Sequence, residues 1–203
     1  MKKGLLIIYV NLVDFFIRLS MFSDTALKLR YMPGFNKLRQ FNAKARAGAQ
    51  FLLAYKKVPA YKQFLLREDF TAISFKGILP DMNKVPVTTK LNYVKAFDIN
   101  QRCINGKIPD CGVIIDESSG SSGIPTNWVR GKKETKVNHR LIKFGLKNVL
   151  GPAPVFAINA FALGAWATGM NVTISCLKFS KIKSTGPDSV KIINTLKLFG
   201  TGH

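Results

Sequence analysis

Apolar and polar positions alternate along this chain with changing period, and the period marks out the elements. From residue 36 to 57 the apolar or small side chains Leu38, Phe41, Ala45, Gly48, Leu52 and Tyr55 recur at spacings of 3, 4, 3, 4 and 3, which predicts an amphipathic helix. Pro59 forbids its continuation. The first twenty-two residues are nearly all apolar apart from Lys2, Lys3, Asn11, Asp14 and Arg18. At 100° per residue the last three fall within about 60° of one another, a narrow polar stripe on an otherwise apolar helix, with Asp14 and Arg18 spaced for an i,i+4 pair. Two lysines before an apolar run resemble a signal peptide, but the polar interruptions and the lack of a small-residue cleavage site oppose that reading. The pattern suits a helix at a membrane interface or one docked on its own domain.

Between Pro59 and about Asn83 the text is mixed, and Gly77, Pro80 and Asp81 mark turns. Thr88 or Thr89 then offers a cap for a short helix from Lys90. The run "GVIIDESSGSSGIPTNWVRG" predicts strand, loop and strand, with β-branched Val113 to Ile115 before the loop and Trp128 and Val129 after it. A helix from Lys132 to Asn148 follows, with Lys132, Lys136, Arg140, Lys143 and Lys147 within about 80° of arc and Val137, Leu141 and Phe144 on another face. The basic stripe reads as a solvated face rather than a dedicated anion site.

No charged residue occurs from Asn148 to Leu177, a stretch long enough to cross a bilayer. Glycine, proline and asparagine divide it better into "PVFAIN" as strand, "AFALGAWATG" as short helix and "NVTISCL" as strand, a buried unit of an α/β protein. A last helix is capped by Thr185 or Ser184, with Pro187 near its first turn, turns Val190, Ile193 and Leu196 inward and stops at Gly200. A strand would come next in such a fold, so the text reads as the first part of a longer domain.

Composition narrows the chemistry. At 203 residues and 47% hydrophobic content the chain can bury a core. Lys and Arg number 31 against 11 Asp and Glu, a formal charge of +20 that favours anionic partners: nucleotides, CoA, nucleic acid or acidic lipid. No nucleic-acid-binding module is recognisable, and the lysines are spread over the whole length, which disfavours a nucleic-acid partner. Cys103, Cys111 and Cys176 form no CxxC pair, and with only His139 and His203 no zinc ligand set of ordinary spacing can be written. The cysteines read as small core residues in a reduced, cytoplasmic setting.

The segment SSGSSG, Ser118 to Gly123, carries the most chemistry. It is held between an apolar strand and Ile124-Pro125, unlike a linker or cloning scar. No Gly-Lys follows at Walker A spacing, and Gly120-Ser121-Ser122-Gly123 lacks the residue between serine and the last glycine of a nucleophile elbow. An amidase-type serine loop with a lysine base is a weaker fit, since Ile-Pro-Thr-Asn-Trp follows instead of a small-residue helix. Two glycines with freedom of φ, four serine hydroxyls and exposed N–H groups suit a loop that wraps phosphate oxygens.

Ser118-Ser119-Gly120-Ser121-Ser122-Gly123-Ile124-Pro125-Thr126 resembles the phosphate loop SSGTTGKPT of the adenylate-forming acyl-CoA ligases, in the phenylacetate-CoA ligase branch, with serine for both threonines and isoleucine for lysine. "KVPAYKQFL" is similar to that branch's "NVPFYRELF", "KVPVTTKLNY" to "LPFTTKEDLR", and "NAFALGAWATG" to its Asn-Ala-aromatic, glycine-rich segment. The likeness covers about Lys57 to His203. Ahead of that stretch, the periodicity alone gives a helical segment over 1–56, with 1–22 suited to a membrane interface or to docking on its own domain. Over 57–203 the likeness implies an incomplete AMP-binding domain of mixed α/β type.

It also implies an enzyme that joins a carboxylic acid to ATP with Mg2+, releases pyrophosphate and passes the acyl group to CoA. Ser118, Ser119, Gly120, Ser121, Ser122, Gly123 and Thr126 would then bind phosphate, with Arg130, Lys132 or Lys133 replacing the missing lysine. The segment from Asn159 to Trp166 would lie near the acyl pocket, unless Phe161, Leu163 and Trp166 are plain core. Such ligases carry their adenine, ribose and catalytic-lysine motifs later, so these residues alone are expected to be inactive. The alternative is a non-catalytic half-domain that binds nucleotide or an acidic membrane surface.

Overall fold

A computed structural model of the chain describes residues 1–20, 23–118, 125–151 and 153–200. It is of mixed α/β type, helices with small two-stranded sheets, in two compact units, Met1–Ile108 and Pro109–His203.

The first unit opens with α1, Lys2–Ser20, and α2, Asp24–Arg30, whose Ser23 cap accepts a hydrogen bond from the Ala26 N–H. Helix α3 spans Asn36–Lys57, the limits its 3–4 spacing predicts. Its buried face begins only at Ala45: Ala45, Gly48 and Leu52 are buried with Phe51, whereas Leu38 and Phe41 stay exposed. Pro59 does end α3, but it also begins α4, Pro59–Arg67, an element absent from the sequence reading. Proline suits a first helical position because the N–H it lacks would have no intrahelical partner there.

Strands β1, Phe75–Lys76, and β2, Leu79–Pro80, form a tight antiparallel hairpin over Gly77 at φ +64°. Gly48 lets α3 approach β2 closely: a Cβ there would sit 2.7 Å from Pro80 Cδ. Thr89 is the cap expected of it, paired with Asn92 in a capping box, and the turn it opens, Lys90–Val94, winds as a π-helix.

The core joins Leu6 and Val10 of α1 to Phe51 and Leu52 of α3, Phe64 and Leu65 of α4, and Phe97. Edge-to-face contacts of Tyr93 with Tyr61 and Phe64 extend it. The division expected at residue 57 follows the onset of the family likeness; the units themselves divide at Ile108 and Pro109, because α1 and α3 share this core with residues up to Phe97.

The second unit holds the antiparallel pair β3, Val113–Glu117, and β4, Asn127–Gly131, followed directly by α5, Lys132–Leu150. Strand β5, Phe156–Asn159, pairs in parallel with β6, Lys181–Ser184, through α6, Ala167–Cys176. A strand, helix, strand unit is therefore present, but shifted: the expected strand "NVTISCL" belongs mostly to α6, and "AFALGAW" precedes that helix. The hydroxyls of Thr173 and Ser175 donate to the carbonyls of Gly169 and Asn171, back-bonds that fit a helix and that β-branching alone does not reveal.

Helix α7, Ser189–Phe199, is capped by Asp188 rather than Thr185 or Ser184; its carboxylate accepts the Lys191 N–H at 3.0 Å. The expected inward face is displaced too. Val190, Ile193 and Leu196 are 65%, 51% and 52% exposed, while Thr195 is buried and Phe199 stacks on Phe156.

Candidate functional site

The segment 118–126 connects two paired strands inside the second unit, so it is a hairpin end and not a linker between units. The β3–β4 register runs from Val113 opposite Gly131 to Glu117 opposite Asn127. One further pair closes it: the Ser118 N–H donates to the Thr126 carbonyl at 3.0 Å, and the Thr126 N–H donates to Ser118 Oγ at 3.0 Å. Of the expected phosphate-binding residues, Ser118 and Thr126 are thus brought together as the clasp of the loop. The Thr126 N–H is committed there, while the Ser118 hydroxyl keeps its own proton to donate. Ser119, Gly120, Ser121, Ser122, Gly123 and Ile124 lie outside the described residues.

The base of the loop is tied to a second segment singled out in the sequence. The Glu117 N–H donates to the Ala165 carbonyl at 3.0 Å, and Glu117 forms a parallel bridge with Trp166. Residues 160–166 leave the C-terminal end of β5, the end of a parallel strand at which α/β folds place ligands. Phe161, Leu163 and Trp166 are 53%, 42% and 37% exposed, so none of the three is a buried core residue.

Asn159 anchors the segment. It is buried; its amide donates to the Gly169 carbonyl and to Thr173 Oγ1, each at 2.8 Å, and its side-chain oxygen accepts the Phe161 N–H. Its backbone carbonyl accepts the Thr185 N–H, so one asparagine joins β5, α6 and the end of β6. Sequence reasoning marked Asn159 only as part of a likeness. Its role could have been suspected from a lone amide at the end of an apolar strand, where an unpaired polar group would be costly.

The Asp116 charge below the loop is paired. Asp116, buried on β3, accepts a hydrogen bond from Arg130 Nε of β4, and Arg130 Nη1 donates to Glu134 Oε1 of α5 at 2.7 Å. Burial alone would lower the Arg130 pKa, but the bonds to Asp116 and Glu134 outweigh it and hold the guanidinium above its usual value. Arg130 is therefore engaged by both Asp116 and Glu134. Lys132 and Lys133 are exposed at the start of α5. The signal for the Asp116–Arg130 pair is register: with Asp116 opposite Trp128, Arg130 is its diagonal neighbour on the same face.

The basic stripe of α5 is only partly solvated: Lys132 and Lys136 are exposed, but Arg140, Lys143 and Lys147 are half-buried. The inward side centres on buried His139, whose Nε2 hydrogen-bonds Asn171 Oδ1 of α6 at 3.0 Å, and not on Leu141. Cys176 is buried, Cys103 half-buried and Cys111 exposed, so the last departs from the expected core role. Among the described residues no group of His, Cys, Asp and Glu could hold a metal ion, and no helix is long and apolar enough to cross a membrane. No family model and no curated protein matches the chain.

Proposed function

We propose that this chain carries the N-terminal, phosphate-gripping part of an ATP-dependent ligase that activates a carboxylic acid and transfers it to CoA. The observation that supports the reading is the pairing of two separately motivated segments. A serine- and glycine-rich hairpin end has its base bonded, through Glu117 and Ala165, to the Asn-Ala-aromatic segment that follows β5. In the adenylate-forming ligases that the sequence resembles, these segments serve the phosphates and the acyl pocket respectively.

In the proposed reaction a carboxylate oxygen attacks the α phosphorus of ATP, and pyrophosphate leaves with the electrons of the α–β bridging bond. The acyl adenylate then loses AMP when the deprotonated sulfur of CoA attacks its carbonyl carbon. Ser119, Gly120, Ser121, Ser122 and Gly123 offer N–H and O–H donors to the β and γ phosphates, and Mg2+ accompanies the nucleotide. Ser118 and Thr126 fix the mouth of the loop, which lowers the ordering cost on binding. Neutralising Asp116 with Arg130 spares the polyphosphate a buried like charge, and exposed Lys132 and Lys133 add attraction.

The test is carboxylate-dependent exchange of labelled pyrophosphate into ATP by the protein as its cell produces it, screened over aryl and fatty acids. Replacing Ser121 and Ser122 together by alanine is expected to lower that exchange by about a hundredfold, the scale for losing donors that meet developing charge. Unchanged exchange in the variant sinks the loop assignment.

A further inference from the structure

Helix α1 is apolar on two opposite sides, and its own unit uses one. Leu6, Val10 and Ile17 are buried. On the other side Leu5, Ile8, Leu12, Phe15, Phe16 and Leu19 lie between 50% and 67% exposed. At 100° per residue these six share an arc of about 100°, wide enough for a docking face. Between the two sides runs the polar stripe of Asn11, Asp14 and Arg18, and here the fold departs from the expected i,i+4 pair. Asp14 turns to α3 and pairs with Arg46 Nε at 2.9 Å, which neutralises the one acid of α1. Arg18 is exposed beside the apolar arc, and Lys2 and Lys3 are exposed at the start of the helix.

Charge selects the occupant. The first fifty-six residues hold ten Lys and Arg against two Asp, and the whole chain carries +20. A second copy brings the same charge to the contact and is repelled. A bilayer with acidic headgroups offers both an apolar phase for the arc and negative charge for its cationic border. We infer that α1 docks the first unit flat on an anionic lipid surface, with Ile8, Leu12, Phe15 and Leu19 at the boundary of headgroups and acyl chains and Lys2, Lys3 and Arg18 at the phosphates. The inference is independent of the ligase reading.

Flotation of the full chain with vesicles of phosphatidylcholine and phosphatidylserine, against phosphatidylcholine alone, tests it. Binding is expected to the acidic vesicles, to fall roughly fivefold for each basic contact screened as salt is raised, and to weaken by about a hundredfold in the triple variant Ile8→Gln, Leu12→Gln, Phe15→Gln. Because all three side chains are exposed, the variant should keep its helical circular dichroism. A second variant, Arg18→Gln, should lose only about fivefold and mainly at low salt. No binding to acidic vesicles, binding that ignores both salt and the triple substitution, or a vesicle-free self-association that the triple substitution abolishes would each overturn the proposal. The last result would give the face to a second copy.

Discussion

Removing the guanidinium beside the hairpin loop should cost far more than an ordinary surface substitution. In Arg130→Met the apolar stem is kept, but Asp116, with its side chain 4% exposed, loses its charged partner. Breaking a fully buried ion pair costs about 3–5 kcal/mol and an exposed pair about 0–1 kcal/mol. The Arg130 side chain is 34% exposed, so solvent screens part of the interaction, and a loss of about 2 kcal/mol is expected. The i,i+4 contact with Glu134 adds a few tenths of a kcal/mol at most.

Both tryptophans of the chain, Trp128 and Trp166, belong to the second unit: Trp128 stands opposite Asp116 and Trp166 bridges Glu117. Their fluorescence during urea titration therefore reports on the base of the loop. The midpoint should fall by about 1 M or more for a slope of 1–2 kcal/mol/M. The double variant Asp116→Leu, Arg130→Met, which removes both charges, should recover much of that loss. An unchanged midpoint in the single variant, or a double variant no better than the single, would refute the pairing and with it the β3–β4 register.

Three further outcomes are expected. Phe64→Ala removes a side chain 1% exposed at the centre of the first core and should destabilise that unit by about 3–5 kcal/mol, measured by hydrogen exchange of α3 and α4 amides. The Asp188 carboxyl titrates below its ordinary range because the Lys191 N–H bonds its ionised form. Its cap is therefore present above the unfolded value and lost as pH falls through the native one, so α7 should fray in acid, and Asp188→Asn should remove that pH dependence while keeping the cap. Burial pushes the Cys103 and Cys176 thiols up, with Arg102 opposing the shift at Cys103, so exposed Cys111 should consume a thiol reagent first and the other two mainly on unfolding.

Local pattern carried much of the fold. The limits of α3, the Thr89 cap and the β3–β4 hairpin all follow from side chains within one turn or one strand of each other. What escaped depends on distant partners. The run Val172-Thr173-Ile174 favours a strand by β-branching, but hydroxyl back-bonds and the Asn171–His139 hydrogen bond set it in a helix. Strand β6, Lys-Ile-Lys-Ser, carries too much charge to be read as a strand, and only its pairing with β5 defines it. On α7 the buried residue is Thr195, and Phe199 stacks on Phe156, about forty positions earlier in the chain. At the candidate site the loop composition was legible, whereas the Ser118–Thr126 clasp, the link from Glu117 to Ala165 and the engagement of Arg130 required the strand register.

The most direct measurement is the exchange of labelled pyrophosphate into ATP by the natural protein, with and without added carboxylic acids, in parallel with its Ser121→Ala, Ser122→Ala variant. A ligase of the proposed kind incorporates label only when its acid is present, and the variant loses about a hundredfold of that rate. Folded protein that shows no carboxylate-dependent exchange across aryl and fatty acids, or equal exchange in the variant, would contradict the assignment of the serine-rich hairpin to phosphate binding.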